Sequence, residues 1–321
     1  MKSSKKTTLC KKQLLPFVAA LVLSGVSIAS AVDYPSTILA DNPIAYYRLE
    51  ETSGATAADS SASGAFPATY FYGASHPTLG QPGIDTNSML LSANDPSFVY
   101  SGYYPELNEQ ASFSFEIWAR PTSIDPVNYR CPVGNFSGWS AAQISGWYVY
   151  QTPGSPCTFA FITASGVWIT YSGVTPGNWY QLVGTYDGTN CSFYVNGALV
   201  GTQAAAGYLA NSTANNYNAL GIGERGDNSQ YFDGNLDEFA YYTNALTAAQ
   251  VLNHYEVGTN SFRIALVPPS ILQDITSTSA YAGHTVQFSV QADGTAPLAY
   301  QWYKGASPIS GATNDTLSFT C

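Results

Sequence analysis

Three carboxylates lie within six residues in the segment FDGNLDEFAYYTNALTAAQVLNHY, residues 232–255. Asp233, Asp237 and Glu238 could act as general acid and base, could bind calcium through their oxygens, or could shape only a turn and a strand. Strand alternation in NLDEF predicts that Asp237 and Glu238 point to opposite faces of a sheet. Asp233 precedes a glycine, which is typical of a turn.

The composition sets limits on the class of protein. The chain has 321 residues, of which only 10% are charged, and Tyr, Gly, Ser, Thr and Asn are abundant. Such a composition is typical of an extracellular all-β protein with many turns. The length allows two domains.

The N-terminal residues have the pattern of a secretion signal. Five lysines precede the apolar stretch LLPFVAALVLSGVSIA, which ends in Ala29-Ser30-Ala31, a tripeptide typical of a cleavage site. We expect residues 1–31 to be a signal peptide, with a secreted or cell-surface location and no membrane insertion after cleavage. Cleavage would leave 6 basic against 21 acidic residues, a net charge of −15. This balance disfavours nucleic acids and anionic membranes as partners.

Four cysteines would remain after cleavage: Cys131, Cys157, Cys191 and Cys321. In an exported chain they can pair, and sequence alone does not decide among the connectivities. We favour a disulfide between Cys131 and Cys157, because both lie in one turn-rich region of short strands.

Short strands are predicted along most of the chain, separated by clusters of Gly, Pro, Asn or Asp. The segment SFSFEIWAR alternates in side-chain character, so one side of its strand should face a core. Asp187-Gly188 and Asn196-Gly197 predict two tight hairpin turns and therefore antiparallel sheets.

One short helix is predicted after the last of these strands. Thr247 and Gln250 have the spacing of a capping box, Leu246 and Val251 that of a hydrophobic staple, and Gly258 can end the helix. We expect this helix to lie across one end or edge of a sheet sandwich.

Four segments carry a resemblance to a known family: AYYRLEETSGATAADSSASG, SFSFEIWARP, NWYQLVGTYDGTNCSFYVNGALV and FDGNLDEFAYYTNALTAAQVLNHY. From about Pro43 to Tyr255 their order resembles that of the laminin G-like, concanavalin A-like jelly-roll domains of bacterial exported proteins. The resemblance implies an all-β fold over residues 32–262, an antiparallel two-sheet jelly-roll sandwich with one short C-terminal helix. Lectins, glucanases and adhesive modules share this fold.

The resemblance raises enzymes as one class of function. Retaining glucanases of this fold carry Glu-x-Asp-x-x-Glu on one strand, which directs the carboxylates into one cleft. No Glu in this chain has an Asp two residues later, Glu116 included. The Arg, His and Tyr set of alginate lyases is not visible, and His76, His254 and His284 stand far apart. We therefore expect no enzymatic activity.

Calcium is the candidate cofactor, since calcium sites are frequent in the resembled family. By position, the resemblance places candidate ligands at Asp59, in the turn AADSSASG, and at Asp237 in the last strand, with Glu238 a poorer candidate. Carboxylate oxygens are the ligands that calcium prefers. The alternative is that each carboxylate only hydrogen-bonds a neighbouring loop.

Sugar binding would need aromatic rings on an exposed face. The candidates lie in the central strands and loops: Trp139, Trp118, Trp147 and Trp168. Of these four, Trp139 is the one we most expect to be exposed, because it lies in the loop FSGWSAA. The alternative for each ring is a place in the core, where most aromatic side chains of a sandwich lie.

The composition changes after Phe262. Residues 263–269 are interpreted as a linker, and residues 270–321 resemble the start of an immunoglobulin-like domain, with Trp302 as its buried tryptophan. Phe288 or Val290 would stand where antibody domains have their first cysteine. The complete fold needs about 100 residues, so we expect this domain to be partial and the chain to be a fragment of a longer protein.

Together these patterns predict an exported, non-catalytic module that binds an extracellular polysaccharide or a cell-surface glycan or protein. The alternatives are a protein-adhesion or spacer module of a large surface protein, or an accessory domain of a polysaccharide-degrading enzyme. A glycan-binding module should expose aromatic rings beside polar groups on one sheet, whereas a spacer should have a featureless face.

Overall fold

The computed structural model describes residues 17–20, 33–71, 77–94, 96–108, 111–136, 145–205, 219–261, 270–273, 283–293 and 298–320. The chain divides into two compact units, Val32–Phe262 and Arg263–Cys321 with Met1–Ala31. Among the described residues, no helix combines the length and the hydropathy that crossing a membrane requires.

The described elements follow in chain order: β1 Phe17–Ala20, α1 Tyr34–Ala40, β2 Ala45–Tyr47, β3 Thr56–Ala57, β4 Ala68–Phe71, β5 Thr78–Pro82, β6 Asn87–Leu91, β7 Phe98–Tyr100, a 3-10 turn Pro105–Leu107, β8 Phe113–Pro121, β9 Arg130–Gly134, β10 Trp147–Gln151, β11 Thr158–Thr163, β12 Trp168–Ser172, β13 Tyr180–Tyr186, β14 Asn190–Val195, β15 Ala198–Ala204, β16 Gly221–Ile222, β17 Gly234–Tyr242, α2 Ala248–Ser261, β18 Ser270–Gln273, β19 Thr285–Ser289, β20 Gln291–Asp293, β21 Gln301–Lys304, β22 Ser307–Pro308 and β23 Thr316–Thr320.

The described residues of the unit Val32–Phe262 form two eight-stranded antiparallel sheets. The first sheet has the order β15-β14-β13-β8-β17-β6-β5, and β2 also pairs with β17. The second sheet has the order β12-β11-β10-β9-β16-β7-β4-β3. This confirms the predicted all-β jelly-roll sandwich.

Local turn chemistry sets the register of three neighbouring strands. Asn196 and Gly197 both have positive φ, 53° and 77°, as the tight turn between β14 and β15 requires. Asp187 accepts hydrogen bonds from the backbone N–H groups of Thr189 and Asn190 at 2.8 and 2.7 Å in the turn before β14. Both predicted hairpins are confirmed.

The main core lies between the two sheets and is built largely from aromatic rings. Phe115 of the first sheet stacks on Trp147 of the second, with ring centroids 3.9 Å apart and planes within 1° of parallel. Phe113 and Phe161 extend the same cluster. Burial of each such ring contributes roughly 2–3 kcal/mol, so the facing aromatic positions of β8, β10 and β11 hold the sheets together.

Both helices cover the outer face of the first sheet. Tyr34 of α1 and Val251 of α2 join Trp118 and Val183 of the sheet in a second apolar cluster. The predicted position of α2 at an end or edge of the sandwich is therefore wrong. The physical reason is that β8 and β13 carry apolar side chains on their outer face too, and these need a cover.

The beginning of α2 was predicted correctly, but its end was not. Thr247 and Gln250 form the reciprocal capping box, with Gln250 N donating to Thr247 Oγ1 at 3.3 Å and Thr247 N to Gln250 Oε1 at 2.9 Å. The helix continues past Gly258 to Ser261. A Cβ at Gly258 would lie 2.5 Å from Trp118 Cζ2, so this glycine permits close packing rather than ending the helix.

The short helix α1, which we did not predict, begins at a local capping signal. Asp33 caps it, since Asp33 Oδ1 accepts a hydrogen bond from Ser36 N at 2.8 Å, and Pro35 follows within the first turn. An Asp-x-Pro start of this kind is typical of helix N-termini.

A bulge in β17 places Asp237 and Glu238 on the same face of the first sheet. The register against β8 passes from Asp237 opposite Trp118 to Ala240 opposite Glu116, and Glu238 has φ 52°. Leu236 and Phe239 both face the main core, so the two carboxylates between them turn outward. The predicted alternation is wrong here because the bulge inserts an extra residue.

The second unit contains its own small core. Trp302 is buried with Phe288 and Val290, and its Nε1 donates to Asn314 O at 2.8 Å. β1, from within the expected signal peptide, pairs with β21. The signal peptide, the linker 263–269 and the partial immunoglobulin-like domain stay predictions.

Candidate functional site

Asp59 uses both of its carboxylate oxygens as acceptors for backbone N–H groups of its own loop and of β2. Oδ1 accepts hydrogen bonds from the backbone N–H groups of Tyr46 at 3.0 Å and Ser61 at 2.9 Å, and Oδ2 accepts one from Phe66 at 3.0 Å. These bonds fasten the turn AADSSASG to β2. Three N–H donors satisfy most of what a carboxylate can accept.

Arg48 lies among three other carboxylates, and we call Arg48, Glu50, Asp85 and Glu238 the Arg48 cluster. The guanidinium contacts Glu50 at 3.1 Å, Asp85 at 2.6 Å and Glu238 at 3.4 Å. One oxygen from each of the three acids lies within 4.8 Å of the others. The arginine thus provides the positive charge that holds these acids together.

Asp237 and Glu238 are both fully buried beside this cluster. Burial raises the pKa of Glu238 to about 8, and burial together with the Glu238 charge raises the pKa of Asp237 well above its ordinary range. The Tyr46 hydroxyl donates to Glu238, and Ile84 N donates to Asp237 Oδ2 at 2.6 Å. Asp237 Oδ1 has no hydrogen-bond partner within the described part of the chain.

The predicted ligand set of Asp59, Asp237 and Glu238 does not fit a calcium ion. Asp59 and Asp237 accept hydrogen bonds from backbone N–H groups, and Glu238 is paired with Arg48. Calcium needs six to eight oxygens around one point, and here a guanidinium contacts the clustered oxygens. Calcium dependence therefore stays a prediction to be tested by experiment. In the described arrangement, Asp59, Asp237 and Glu238 do not form a ligand set for the ion.

Another buried row of charged groups joins the helices to the first sheet. His254 Nδ1 lies 2.9 Å from Glu116 Oε2, and His254 Nε2 lies 2.9 Å from Asp41 Oδ2. Burial alone would lower the pKa of His254, but Glu116 and Asp41 raise it to about 9, so the ring is an imidazolium at neutral pH. We call Asp41, His254 and Glu116 the His254 link.

The His254 link is a structural connection rather than an exposed acid–base site. His254 and Glu116 have no exposed surface, and the Tyr242 hydroxyl donates to Glu116 Oε1 at 2.7 Å. Sequence reasoning missed the link because the partners of His254 are 138 and 213 residues away. No local spacing signals such a contact.

Two of the four tryptophans predicted to bind sugar are in the interior, which corrects that prediction. Trp147 is buried in the main core, and Trp118 is buried under the helices, where its Nε1 donates to the Tyr34 hydroxyl at 2.8 Å. Trp139 lies outside the described residues. Trp168 is 46% exposed on β12, an edge strand of the second sheet.

The predicted disulfide between Cys131 and Cys157 is wrong, because both thiols are free and buried. Cys131 lies with Phe136 and Tyr148 on the outer face of the second sheet. Cys157 lies in the main core on the other face of that sheet. Cys321 lies outside the described residues.

The outer face of the second sheet carries a continuous row of rings. Centroid distances from Phe136 to Tyr148, from Tyr148 to Tyr150 and from Tyr150 to Tyr129 are 4.8, 4.5 and 4.9 Å. Tyr129 is 37% exposed at one end of the row. Trp168 lies on the same face, since it pairs with Ile162, which pairs with Tyr148.

The opposite edge of this face is also aromatic. Phe71 of β4 is 51% exposed and stacks on Phe98 of β7 at a centroid distance of 4.8 Å. Their chain neighbours Tyr70 and Val99 belong to the main core, which places Phe71 and Phe98 outside. We call the outer face of the second sheet, with its exposed Phe71, Tyr129 and Trp168, the aromatic face.

The chain after β16 folds over the centre of the aromatic face. Gly221 and Gly134 are paired on neighbouring strands. A Cβ at Gly221 would lie 2.0 Å from Glu224 Oε1, and a Cβ at Gly134 would lie 2.7 Å from Arg225 O. The two glycines thus let this turn approach the sheet. Arg225 lies over the ring of Phe136, with its Cζ 4.8 Å from the ring centroid.

These features define a two-sheet jelly-roll sandwich that has one helix-covered face and one aromatic face. The family model described as the Concanavalin A-like lectin/glucanases superfamily matches residues 95–252. No curated protein matches the chain.

Solved structures are similar to this one at low sequence identity. The binding domain of Paraclostridial Mosquitocidal Protein 1 is 16% identical with a TM-score of 0.52, over 71% of this chain and 54% of that one. The Botulinum neurotoxin serotype G binding domain is 14% identical with a TM-score of 0.52, over 81% and 66%. Domain 4 of an extracellular arabinanase from Geobacillus stearothermophilus, in complex with arabinotriose, is 16% identical with a TM-score of 0.45, over 67% and 98%.

The chain covers 54% and 66% of the two toxin binding domains, between about half and two thirds of their length. At these sequence identities, the similarity to the two toxin binding domains shows a shared fold and nothing further.

Proposed function

We propose that this protein is a secreted, non-catalytic module that binds extracellular carbohydrate through the aromatic face. One observation carries the proposal. The outer face of the first sheet is covered by α1 and α2, whereas the second sheet presents Phe71, Tyr129 and Trp168, each 37–51% exposed. Exposed aromatic rings collected on one uncovered face are a feature of binding surfaces.

The chemistry of the aromatic face suits a sugar. Flat rings stack against the C–H faces of pyranose or furanose units, and nearby hydroxyl groups can bond to the sugar hydroxyls. Thr158 and Thr170 lie on the same face, since their neighbours Phe159 and Ile169 face the main core. Tyr129 is supported by its contact with Tyr150, so its ring is positioned before any ligand binds.

The non-catalytic part of the proposal rests on where the central carboxylates lie. Glu116, Asp237 and Glu238 are fully buried on the outer side of the first sheet, under the helices or beside the Arg48 cluster. The aromatic face belongs to the other sheet. A polymer on the aromatic face would therefore not reach these acids.

Secretion belongs to the same proposal, because residues 1–31 have the pattern of a signal peptide. The predicted ligands do not fit a calcium ion, but the same assay can test whether binding requires calcium.

The test is retention of the full chain on a panel of insoluble polysaccharides, with calcium or with EDTA, while the supernatant is assayed for released sugar ends. We expect retention without release. Trp168→Ala and Tyr129→Ala should each weaken retention about fivefold to tenfold, since a lost stacking contact is worth about 1 kcal/mol. Leu199→Ala is the matched control, because Leu199 is 55% exposed on β15 of the first sheet.

Each outcome bears on a separate part of the proposal. Failure to bind any polymer, or equal weakening by Leu199→Ala, would contradict binding through the aromatic face. Release of sugar ends would contradict the non-catalytic assignment. Retention lost in EDTA would establish the calcium requirement, and unchanged retention would remove it.

A further inference from the structure

The charge nearest the aromatic row is already paired. Arg225 donates from Nε to Asp227 Oδ1 at 3.1 Å, and a second ion-pair contact joins Arg225 Nη2 to the other oxygen of Asp227. Arg225 Nη1 donates to the Tyr150 hydroxyl at 2.7 Å. The guanidinium thus uses its donors on one carboxylate and one phenol, in the two-pronged geometry that arginine prefers.

The loop that presents Tyr129 repeats this arrangement. Arg130 forms an ion pair with Asp125, which also accepts hydrogen bonds from Val127 N at 2.8 Å and Asn128 N at 2.7 Å. The backbone N–H groups of Asn128 and Val127 hold the pKa of Asp125 well below its usual range. Asp125 is therefore ionised and balances the arginine.

Glu224 is the third acidic residue described on the aromatic face, after Asp227 and Asp125, and it carries less than a full negative charge at neutral pH. Glu224 is 1% exposed over Gly221, and Asn228 N donates to its Oε2 at 2.9 Å. Burial raises the pKa of Glu224 to about 8, so the protonated form is the major one at pH 7. The centre of the aromatic face is thus close to electrically neutral.

The rest of the unit offers little positive charge. Between residues 33 and 262 the sequence has 4 arginines and no lysine against 18 acidic residues. Arg48 is held in its own cluster, and Arg120 lies over the ring of Trp179, with its Cζ 6.0 Å from the ring centroid. The surrounding field therefore repels anions.

We infer that the ligand of the aromatic face is an uncharged polysaccharide, an inference that rests on the carbohydrate-binding function proposed above. On the aromatic face a polyanion would meet only Arg130 and Arg225, both paired with carboxylates, within a strongly acidic unit. A neutral polymer needs no counter-charge, and Tyr129, Trp168, Thr158 and Thr170 offer it rings and hydroxyls.

The experiment compares retardation of the full chain in native gels that contain soluble polysaccharides. Linear arabinan, galactomannan and β-glucan are the neutral probes, and polygalacturonate and alginate the acidic ones, each at low and at high sodium chloride. We expect at least one neutral probe to bind, with affinity that changes less than about twofold with salt, and about tenfold weaker or no binding to the acidic probes.

One variant tests the charge argument directly. Asp227→Asn should leave Arg225 unbalanced on the aromatic face and create salt-sensitive binding to an acidic probe. Asp187→Asn makes the same change of charge in the turn between β13 and β14, away from the aromatic face, and should create none.

Acidic probes that bind the natural chain as tightly as the neutral ones would overturn the inference, as would neutral binding that falls steeply with salt. Equal gains from Asp227→Asn and Asp187→Asn would also contradict it, since overall charge would then explain the selectivity. If no polysaccharide of either class binds, the proposed function fails, and the inference fails with it.

Discussion

The protonation state of His254 depends on the two carboxylates that contact its ring. Glu116 in β8 contacts one ring nitrogen, and Asp41, just after α1, contacts the other. The Tyr242 hydroxyl of β17 in turn donates a hydrogen bond to Glu116. The charged ring therefore joins α1, α2 and the first sheet. A neutral ring could donate only one of these two bonds.

We expect the free energy of unfolding to fall as pH rises from about 6.5 to about 9. The pKa of His254 is about 9 in the folded chain and 6.5 ordinarily. A raised pKa of this kind stabilises the fold fully below the ordinary value, and the stabilisation is lost as pH rises through the folded value. The expected loss is up to about 3 kcal/mol, measured by denaturant unfolding across this range.

The variant His254→Gln isolates this effect. Glu224 and Glu238, with pKa values raised to about 8 by burial, shift stability in the same direction with pH. The difference between the natural chain and His254→Gln should therefore shrink as pH approaches 9 or higher. A difference that stays constant with pH would show that the histidine is neutral in the folded protein.

At the scale of elements, the closeness of α2 to the first sheet depends on Gly258. Alanine normally stabilises the interior of a helix relative to glycine by about 1 kcal/mol. Here a Cβ would lie 2.5 Å from Trp118 Cζ2 and 3.0 Å from Tyr34 Cε2. Both rings are buried and held by their mutual hydrogen bond.

We therefore expect Gly258→Ala to destabilise the protein by roughly 1–3 kcal/mol, against helix propensity, because the helix must move away from Trp118. Thermal or denaturant unfolding measures the change. Glu256→Ala, on the exposed side of the same helix, should change the stability by less than about 0.5 kcal/mol. Stabilisation by Gly258→Ala would contradict the close packing.

At the scale of the whole molecule, the apolar clusters divide along the same boundary as the two units. The two-sheet core, the cluster under the helices and the cluster of the aromatic face are built from residues 34–257, and a separate cluster surrounds Trp302. A unit that contains its own core can fold alone.

We expect the segment Val32–Phe262, expressed alone, to unfold in one cooperative transition at the same temperature as the corresponding transition of the full chain. Differential scanning calorimetry measures both. A transition lowered by more than about 5 °C, which corresponds to more than about 1 kcal/mol for a unit of this size, would show that the second unit stabilises the first.

The sequence by itself determined the features that depend on neighbours along the chain. Turn dipeptides predicted the hairpins at Asp187 and Asn196, and the spacing of Thr247 and Gln250 predicted the start of α2. These two kinds of signal are local, since turns and caps depend on the φ, ψ and hydrogen bonds of a few consecutive residues. The sandwich itself was implied by the family resemblance of four segments taken in their order along the chain.

Only the tertiary structure decided which side chains meet and which remain in water. Trp118 and Trp168 occupy similar alternating strands, yet the first is buried and the second exposed, because α1 and α2 cover only the first sheet. The bulge at Glu238 and the partners of His254 likewise depend on residues far away in sequence. Strand alternation predicts which side chains share one side of a sheet, but only the packing of the elements determines what that side contacts.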